Sequence, residues 1–247
     1  MANKTSPAVR IGTAGWSIPA PYAGDFPGPG SHLQRYARRF ISAEITSSFY
    51  KSHRTATYAR WASSVPEEFR FAVKLPREIT HKRRLADAAA PLDGFLGEIE
   101  PLRTRLGPLL VQLPPSFAFD PAAAASFFDI LRVRFEAEVA CEPRHASWFE
   151  ADAEALLSRY RVARVAADPA CVPAAAQPGG WPGLAYYRLH GSPRMYYSAY
   201  EPEWLDQLAA RLAAHAGPVW CTFDNTASGA AAGNSLELAR RLDVPVG

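Results

Sequence analysis

Eight short runs rich in β-branched, aromatic and other apolar residues recur along the chain, and a segment of helix-forming composition follows all but one. The runs are VRIGTA (9–14), ISAEITS (41–47), RFAVK (70–74), PLLVQL (108–113), EAEVACE (136–142), VARVAAD (162–168), LAYYRLH (184–190) and VWCTFDN (219–225). Helical patterns fall near 31–40, 54–64, 92–106, 120–134, 149–160, 202–215 and 233–242. The exception is 169–183, whose CVPAAAQPGGWPG reads as a loop. This alternation constrains the fold more than any compositional figure, because strands separated by helices build parallel sheets. Eight such units in 247 residues predict a (β/α)8 barrel of the TIM type, a single domain over 1–247. The competing architecture, a doubly wound open sheet, places a glycine-rich phosphate loop after its first strand. Here the first turn reads GTAGW (12–16), which is neither GxGxxG nor a P-loop. Asp120-Pro121 supplies a helix cap followed by proline at the first helical position, and Glu201-Pro202 starts a later helix in a related way. No repeat, low-complexity tail or dividing linker interrupts the pattern.

Composition narrows the class further. With 48% hydrophobic residues the chain has ample apolar surface for a core. No apolar run approaches the ~18–20 residues that span a bilayer, and MANKTSPAVRIG lacks the apolar stretch of a secretion signal. Cys141, Cys171 and Cys221 are widely spaced, without a metal-binding or disulfide pattern. A cytoplasmic protein with no membrane contact is therefore expected. A net charge of +3 is too small to indicate nucleic acid by itself.

Strand side chains alternate between faces, and the alternation singles out a set of polar residues. Lys74, one of only four lysines, shares a face with Ala72 in RFAVK. Glu44 opposes Ile41 and Ile45, Gln112 opposes Val111 and Leu113, Glu142 opposes Cys141, and Asp168 opposes Val165. Tyr186, Arg188 and His190 share one face. The expected arrangement is a bulky apolar face against the helices and a smaller face, ending in a polar residue, inside the barrel. The polar ends would then converge at the carboxyl end, where barrel enzymes keep their chemistry. Cys141 falls on the apolar face, a core position. Gly12 and Gly15 are read as close-packing positions, and Gly191 as a tight turn.

The same residues carry a family resemblance. GTAGW (12–16), EITSSFY (44–50), Trp61, FAVKLPREITH (71–81), LLVQLPPSF (109–117), CEPRHASW (141–148), Asp168, YRLHG (187–191) and FDNTASGAAAGNS (223–235) together resemble the domain of unknown function 72 family (YecE-like), along nearly the whole chain. That resemblance implies an eight-stranded barrel and a site at these positions, and no defined reaction. Two departures from its pattern stand out. Asp224 occupies a position where the family tends to have an amide, and Pro143 replaces an aromatic residue.

Three chemistries fit the residues. In the first, a small anionic or sugar-like ligand undergoes metal-free acid–base chemistry of a lyase, isomerase or hydrolase. Glu44 or Glu142 is the base and His190 or His81 the acid. Arg188, Lys74 and Arg144 grip an anionic group, and Lys74 is alternatively a Schiff-base nucleophile. Trp16, Tyr50, Gln112, Trp148, Asp168 and Asn225 complete the substrate-binding set. No cofactor is needed. In the second, Glu142, Asp168 and His190 hold a divalent metal for a phosphodiesterase or isomerase of the endonuclease IV type. In the third, the protein is a non-enzymatic binder of nucleic acid or another anionic ligand. There HKRR (81–84) and His53-Arg54 supply charge, and Trp16, Tyr50, Trp148, Tyr196, Tyr197 and Tyr200 supply stacking.

Overall fold

A computed structural model describes residues 9–244. The strands are β1 (Val9–Thr13), β2 (Ser42–Ile45), β3 (Arg70–Lys74), β4 (Leu106–Gln112), β5 (Val139–Glu142), β6 (Val162–Arg164), β7 (Ala166–Asp168), β8 (Gly179–Gly180), β9 (Ala185–Leu189) and β10 (Val219–Phe223). The helices are α1 (His32–Tyr36), α2 (Thr55–Ser63), α3 (Ala89–Ile99), α4 (Pro121–Arg134), α5 (Ala151–Arg159), α6 (Pro202–Ala213) and α7 (Ala230–Arg241). Hydrogen bonds arrange the strands in two sheets, a four-stranded one in the order β1-β10-β9-β7 and a six-stranded one in the order β2-β3-β4-β5-β6-β8. Every pairing is parallel except the short β6–β8 contact.

Local chemistry explains most of these elements. The Asp120 carboxylate accepts hydrogen bonds from the Ala122 and Ala123 amides, 2.9 and 3.1 Å, while Pro121 takes the first helical position of α4. Its buried residues, Ala124, Phe127, Phe128 and Leu131, recur at helical spacing and form the stripe that faces the core. Helix α6 also begins at a proline, but Glu201 makes no capping bond through its side chain. Gly12 lets β1 approach β2, since a Cβ there would lie 2.2 Å from the Ser42 carbonyl oxygen. Gly15 differs from the close-packing expectation: it has open space around it and is needed for its φ of 75°.

The sequence-based boundaries shift in three places. The run 162–168 is two strands broken at Val165, whose amide donates to the Cys141 carbonyl at 2.8 Å. Residues 162–164 continue the larger sheet and 166–168 join the smaller one. The helix expected over 92–106 starts earlier, at Ala89, and ends at Ile99. Pro101 then brings no amide to the helical ladder, and a tighter turn with Arg103 at φ 46° leads into β4. Finally, part of the 169–183 loop lies against β6 as β8.

The two faces of the strands also divide differently from expectation. The outer faces and the helices share one large apolar cluster running from Ile11 to Ala239. The inner faces hold a second cluster: Ala72, Leu110, Ala140, Ala163, Val165, Leu184, Tyr186 and Trp220. This inner face is not uniformly small. Tyr186 and Trp220 stack there with centroids 6.0 Å apart. Gly107 leaves them room, since a Cβ at that position would meet the Trp220 ring at 2.6 Å. Large side chains are matched by small ones across the interior, as close packing requires. No helix among the described residues is long and apolar enough to cross a membrane.

Candidate functional site

At the carboxyl ends of the strands the interior changes from apolar to ionic, and Arg188 of β9 lies at the centre. Its Nε and Nη2 donate to the two Glu44 carboxylate oxygens at 3.0 and 2.7 Å, a bidentate pair that spans from the four-stranded to the six-stranded sheet. Nη1 donates to Glu142 Oε2 at 2.5 Å, and Nη2 also reaches Asp224 Oδ2 at 2.9 Å. Tyr186, one layer deeper, donates its O–H to Glu44 Oε2 at 2.9 Å. Arg188, Glu44 and Glu142 are essentially without solvent exposure.

His190 follows β9 and is equally buried. Its Nδ1 lies 3.0 Å from Asp224 Oδ2 and its Nε2 2.9 Å from Glu142 Oε1. Arg144 Nη2 also bonds Glu142 Oε1, and it stands 2.6 Å from His190 Nε2. The Tyr196 ring meets the imidazole edge-on at 5.8 Å.

Lys74 ends β3 and is only 8% exposed. Its Nζ lies 4.0 Å over the Phe49 ring. Ser48 holds that ring's backbone in place by donating its Oγ to the carbonyl of Lys74 at 2.6 Å or that of Ile45 at 3.1 Å. His81 stands edge-on to Phe49 at 4.8 Å, and its Nδ1 is 2.9 Å from Thr80 Oγ1. Both residues lie in a single wide helical turn, Glu78–Lys82.

The charges reshape one another. Burial alone would raise the Glu142 carboxyl, but the Arg188 and Arg144 guanidiniums and His190 hold it well below the usual range. Asp224 is likewise raised by burial and lowered overall, through Arg188, His190 and Lys74. Burial, reinforced by Arg188, pushes the Lys74 amine down to about 8, although Glu142, Glu44 and Asp224 pull the other way. Burial and Lys74 also lower the His81 imidazole. Three carboxylates (Glu44, Glu142, Asp224) face three cations (Arg188, Arg144, Lys74), so the set is balanced when His190 is neutral.

The structure therefore unites Glu44, Glu142, Arg144, Arg188 and His190, places Lys74 beside them, and separates the other candidates. Asp168 turns to the Tyr200 hydroxyl, which donates to its Oδ2 at 2.7 Å. Asn225 is buried; its Nδ2 donates to the Ser198 carbonyl or to Asn234 Oδ1, while its Oδ1 has no partner. Gln112 ends β4 in register with Glu142, half-buried. Trp16 packs edge-on against Trp61 and Phe71, at 5.1 and 5.8 Å. Trp148 is fully buried and donates its indole N–H to the Phe117 carbonyl at 2.9 Å, so it packs the core and presents no face to a ligand. Tyr50 is 72% exposed and borders a 340 Å³ cavity that shares Phe49 with the Lys74 environment. In the HKRR stretch, Lys82 and Arg83 pair with Glu78, and Arg84 donates to Ser116 Oγ.

The metal set does not assemble. Glu142 and His190 touch, but Asp168 is committed to Tyr200 and both Glu142 oxygens to guanidiniums. Among the described residues, no group of three His, Cys, Asp or Glu side chains is arranged to hold a metal ion. The site residue absent from the candidate set is Asp224. The signal was present: Trp220, Thr222 and Asp224 alternate onto the inner face of β10 and just beyond it.

Comparison with known proteins adds family and fold. A family model described as "Protein of unknown function DUF72" matches residues 10–246. The UPF0759 protein YecE of Escherichia coli (strain K12) is 32% identical over 118 residues, which is 47% of this chain and 43% of that protein. The matched stretch thus spans less than half the length of this curated relative. A crystal structure of a DUF72 family protein from Thermotoga maritima MSB8 superposes with a TM-score of 0.77 at 25% identity, covering 95% of this chain and 99% of that one. Another, from Enterococcus faecalis V583, gives a TM-score of 0.80 at 21% identity and 96% coverage of both chains, a likeness of fold alone.

Proposed function

The chain belongs to the DUF72 family of proteins of unknown function, and we propose that it closes as a (β/α)8 barrel and performs metal-free acid–base chemistry on a small anionic or sugar-like ligand at the carboxyl ends of its strands. Two junctions support closure. An Ala14–Glu44 bridge, with the Gly15 amide donating to the Glu44 carbonyl at 2.8 Å, links β1 to β2. Val165 carries one strand run from the larger sheet into the smaller. Three unpaired cysteines, Cys171 exposed, suit a reducing cytoplasm.

The observation that carries the reading is the position of His190 Nε2. Protonated, it donates to Glu142 Oε1 at 2.9 Å. Unprotonated, it accepts from Arg144 Nη2 at 2.6 Å, while Nδ1–H keeps its bond to Asp224. Each state has an acceptor or donor in place; on protonation the Arg144 donor 2.6 Å away must draw back, so Arg144 moves with the proton that a general acid–base group gives and takes. Arg144, 13% exposed, and Lys74 are the cations nearest solvent and are assigned to the ligand's anionic group. Arg188 is only 1% exposed and serves as the fixed centre that holds Glu44 and Glu142.

A panel of sugar phosphates and hydroxy acids, incubated with the protein in D2O, tests this. Proton NMR should show a ligand C–H exchanging with solvent. His190→Gln should abolish the exchange while the ligand still raises Tm. Exchange that survives His190→Gln, or a panel that neither shifts Tm nor exchanges, defeats the reading.

A further inference from the structure

Lys74 has a role in that scheme only as a charge, yet its surroundings are those of a nucleophile. We propose that Lys74 Nζ condenses with the carbonyl carbon of a small aldehyde or ketone, so that the substrates of this site are carbonyl compounds bearing an anionic group. The inference rests on the reading that the strand ends form a metal-free acid–base site.

Geometry separates Lys74 from the other cations. Arg188 and Arg144 both bond carboxylates directly, whereas no carboxylate lies within 4.0 Å of Lys74 Nζ among the described residues. An ammonium group that is 8% exposed and has no carboxylate bonded to it is costly, even with Glu142, Glu44 and Asp224 acting on it from farther away. Its close neighbour is the Phe49 ring at 4.0 Å, which attracts a cation but accepts no proton in a conventional hydrogen bond. The nitrogen lone pair is therefore uncommitted, and the ring face suits the iminium as well as the ammonium. The charged groups acting on the amine are Arg188, Glu142, Glu44 and Asp224, with the His81 imidazole also influenced by it. Burial and Arg188 prevail and bring the amine to about 8, so the free base is present near neutral pH.

The step balances without any further reagent. The free amine attacks the carbonyl carbon, and the carbonyl π pair moves to oxygen. The nitrogen gives up one of its protons to that oxygen, and the hydroxyl leaves as water with the proton that the ammonium shed on becoming the free amine. The product is a C=N⁺ iminium, so an ammonium plus a carbonyl has become an iminium plus water. That cation withdraws electrons from the adjacent carbon, where the acid–base group of this site would act.

Reductive trapping of the wild-type protein decides the matter. Glycolaldehyde phosphate and, separately, glyoxylate are added at pH 7 with cyanoborohydride, and modified lysines are identified by peptide mass mapping. Lys51 and Lys82, both exposed, serve as internal references. A pKa near 8 rather than 10.5 gives Lys74 an advantage of about 300-fold in free-amine fraction. Even allowing for weaker nucleophilicity and access, Lys74 should label at least about tenfold faster than the references. Equal or slower labelling at Lys74 overturns the proposal. If glycolaldehyde phosphate raises Tm and its C–H exchange depends on His190, but Lys74 stays unlabelled, the imine fails and the acid–base reading stands. If Lys74 labels selectively and exchange survives His190→Gln, the imine stands and the acid–base assignment falls.

Discussion

The interior of this protein contains two layers built on the same strands, and they obey opposite rules. Moving two residues along a strand goes from one layer to the next: Ala72 to Lys74, Leu110 to Gln112, Ala140 to Glu142, Tyr186 to Arg188, Trp220 to Thr222. The first member of each pair lies in a buried apolar cluster. Most of the second members lie in or beside an ion network buried almost as deeply. Backbone and pleat are shared, so architecture alone does not dictate charge in the upper layer. The lower layer shows that apolar side chains fill this interior well. Removing ions from water costs several kcal/mol each, and a buried network is often no more stable than a hydrophobic replacement. The outer cluster and the lower layer both bury apolar surface that stabilises the fold, and the upper layer is the better place to look for chemistry.

Breaking the upper layer at its centre gives the largest expected effect. Arg188→Met removes partners from Glu44, Glu142 and Asp224 at once and should cost about 4 kcal/mol in urea unfolding. Adding Glu44→Leu and Glu142→Leu to that variant should recover part of the loss, because two of the three stranded carboxylates go with the arginine, while Asp224 keeps only His190 and Arg144 loses Glu142. A triple variant no more stable than the single one would show that the network itself supports the fold. The lower layer should respond differently. Leu184→Ala opens a cavity at a 2% exposed position just before β9 and should cost about 3 kcal/mol, with Lys74 labelling by glyoxylate unchanged. A changed labelling rate would mean that the two layers are coupled.

Much of this contrast is legible in the sequence, because period-two alternation places every other strand residue on one face. It located Glu44, Lys74, Glu142, Arg188 and His190 together. It did not supply the residues' mutual geometry, since alternation specifies a face and not a partner. Trp148 illustrates the limit: an indole in a turn beside the site reads as a stacking platform, and only its burial and its bond to the Phe117 carbonyl reveal a core role. Asp168 sits at a strand end like Glu142, yet Tyr200, from a distant loop, claims its carboxylate. Asp224 lies within the run VWCTFDN on the face that alternation turns inward; in the sequence it stands out only as a carboxylate where the family tends to have an amide, and its partners Arg188 and His190 come from another strand. The break at Val165 was hidden for another reason: both halves of 162–168 have the same strand-forming composition.

The smallest effect is the most diagnostic, because it concerns the one upper-layer cation without a carboxylate partner. Lys74→Met should stabilise the protein at pH 7 by about 2 kcal/mol, since methionine fills the space against Phe49 without a desolvated charge. The pH dependence has a definite sign. The amine titrates near 8 in the folded state and near 10.5 when unfolded. Below about 8 both states are protonated and the full penalty of burial applies. Between about 8 and 10.5 the unfolded chain holds the extra proton, so wild-type stability rises with pH relative to the variant. Other groups that titrate in the unfolded chain are common to both proteins and largely cancel in the difference. Urea midpoints at pH 7, 9 and 10 should therefore converge. A gap that stays constant would mean that Lys74 keeps an ordinary amine, and the contrast between this residue and its two arginine neighbours would lose its chemical meaning.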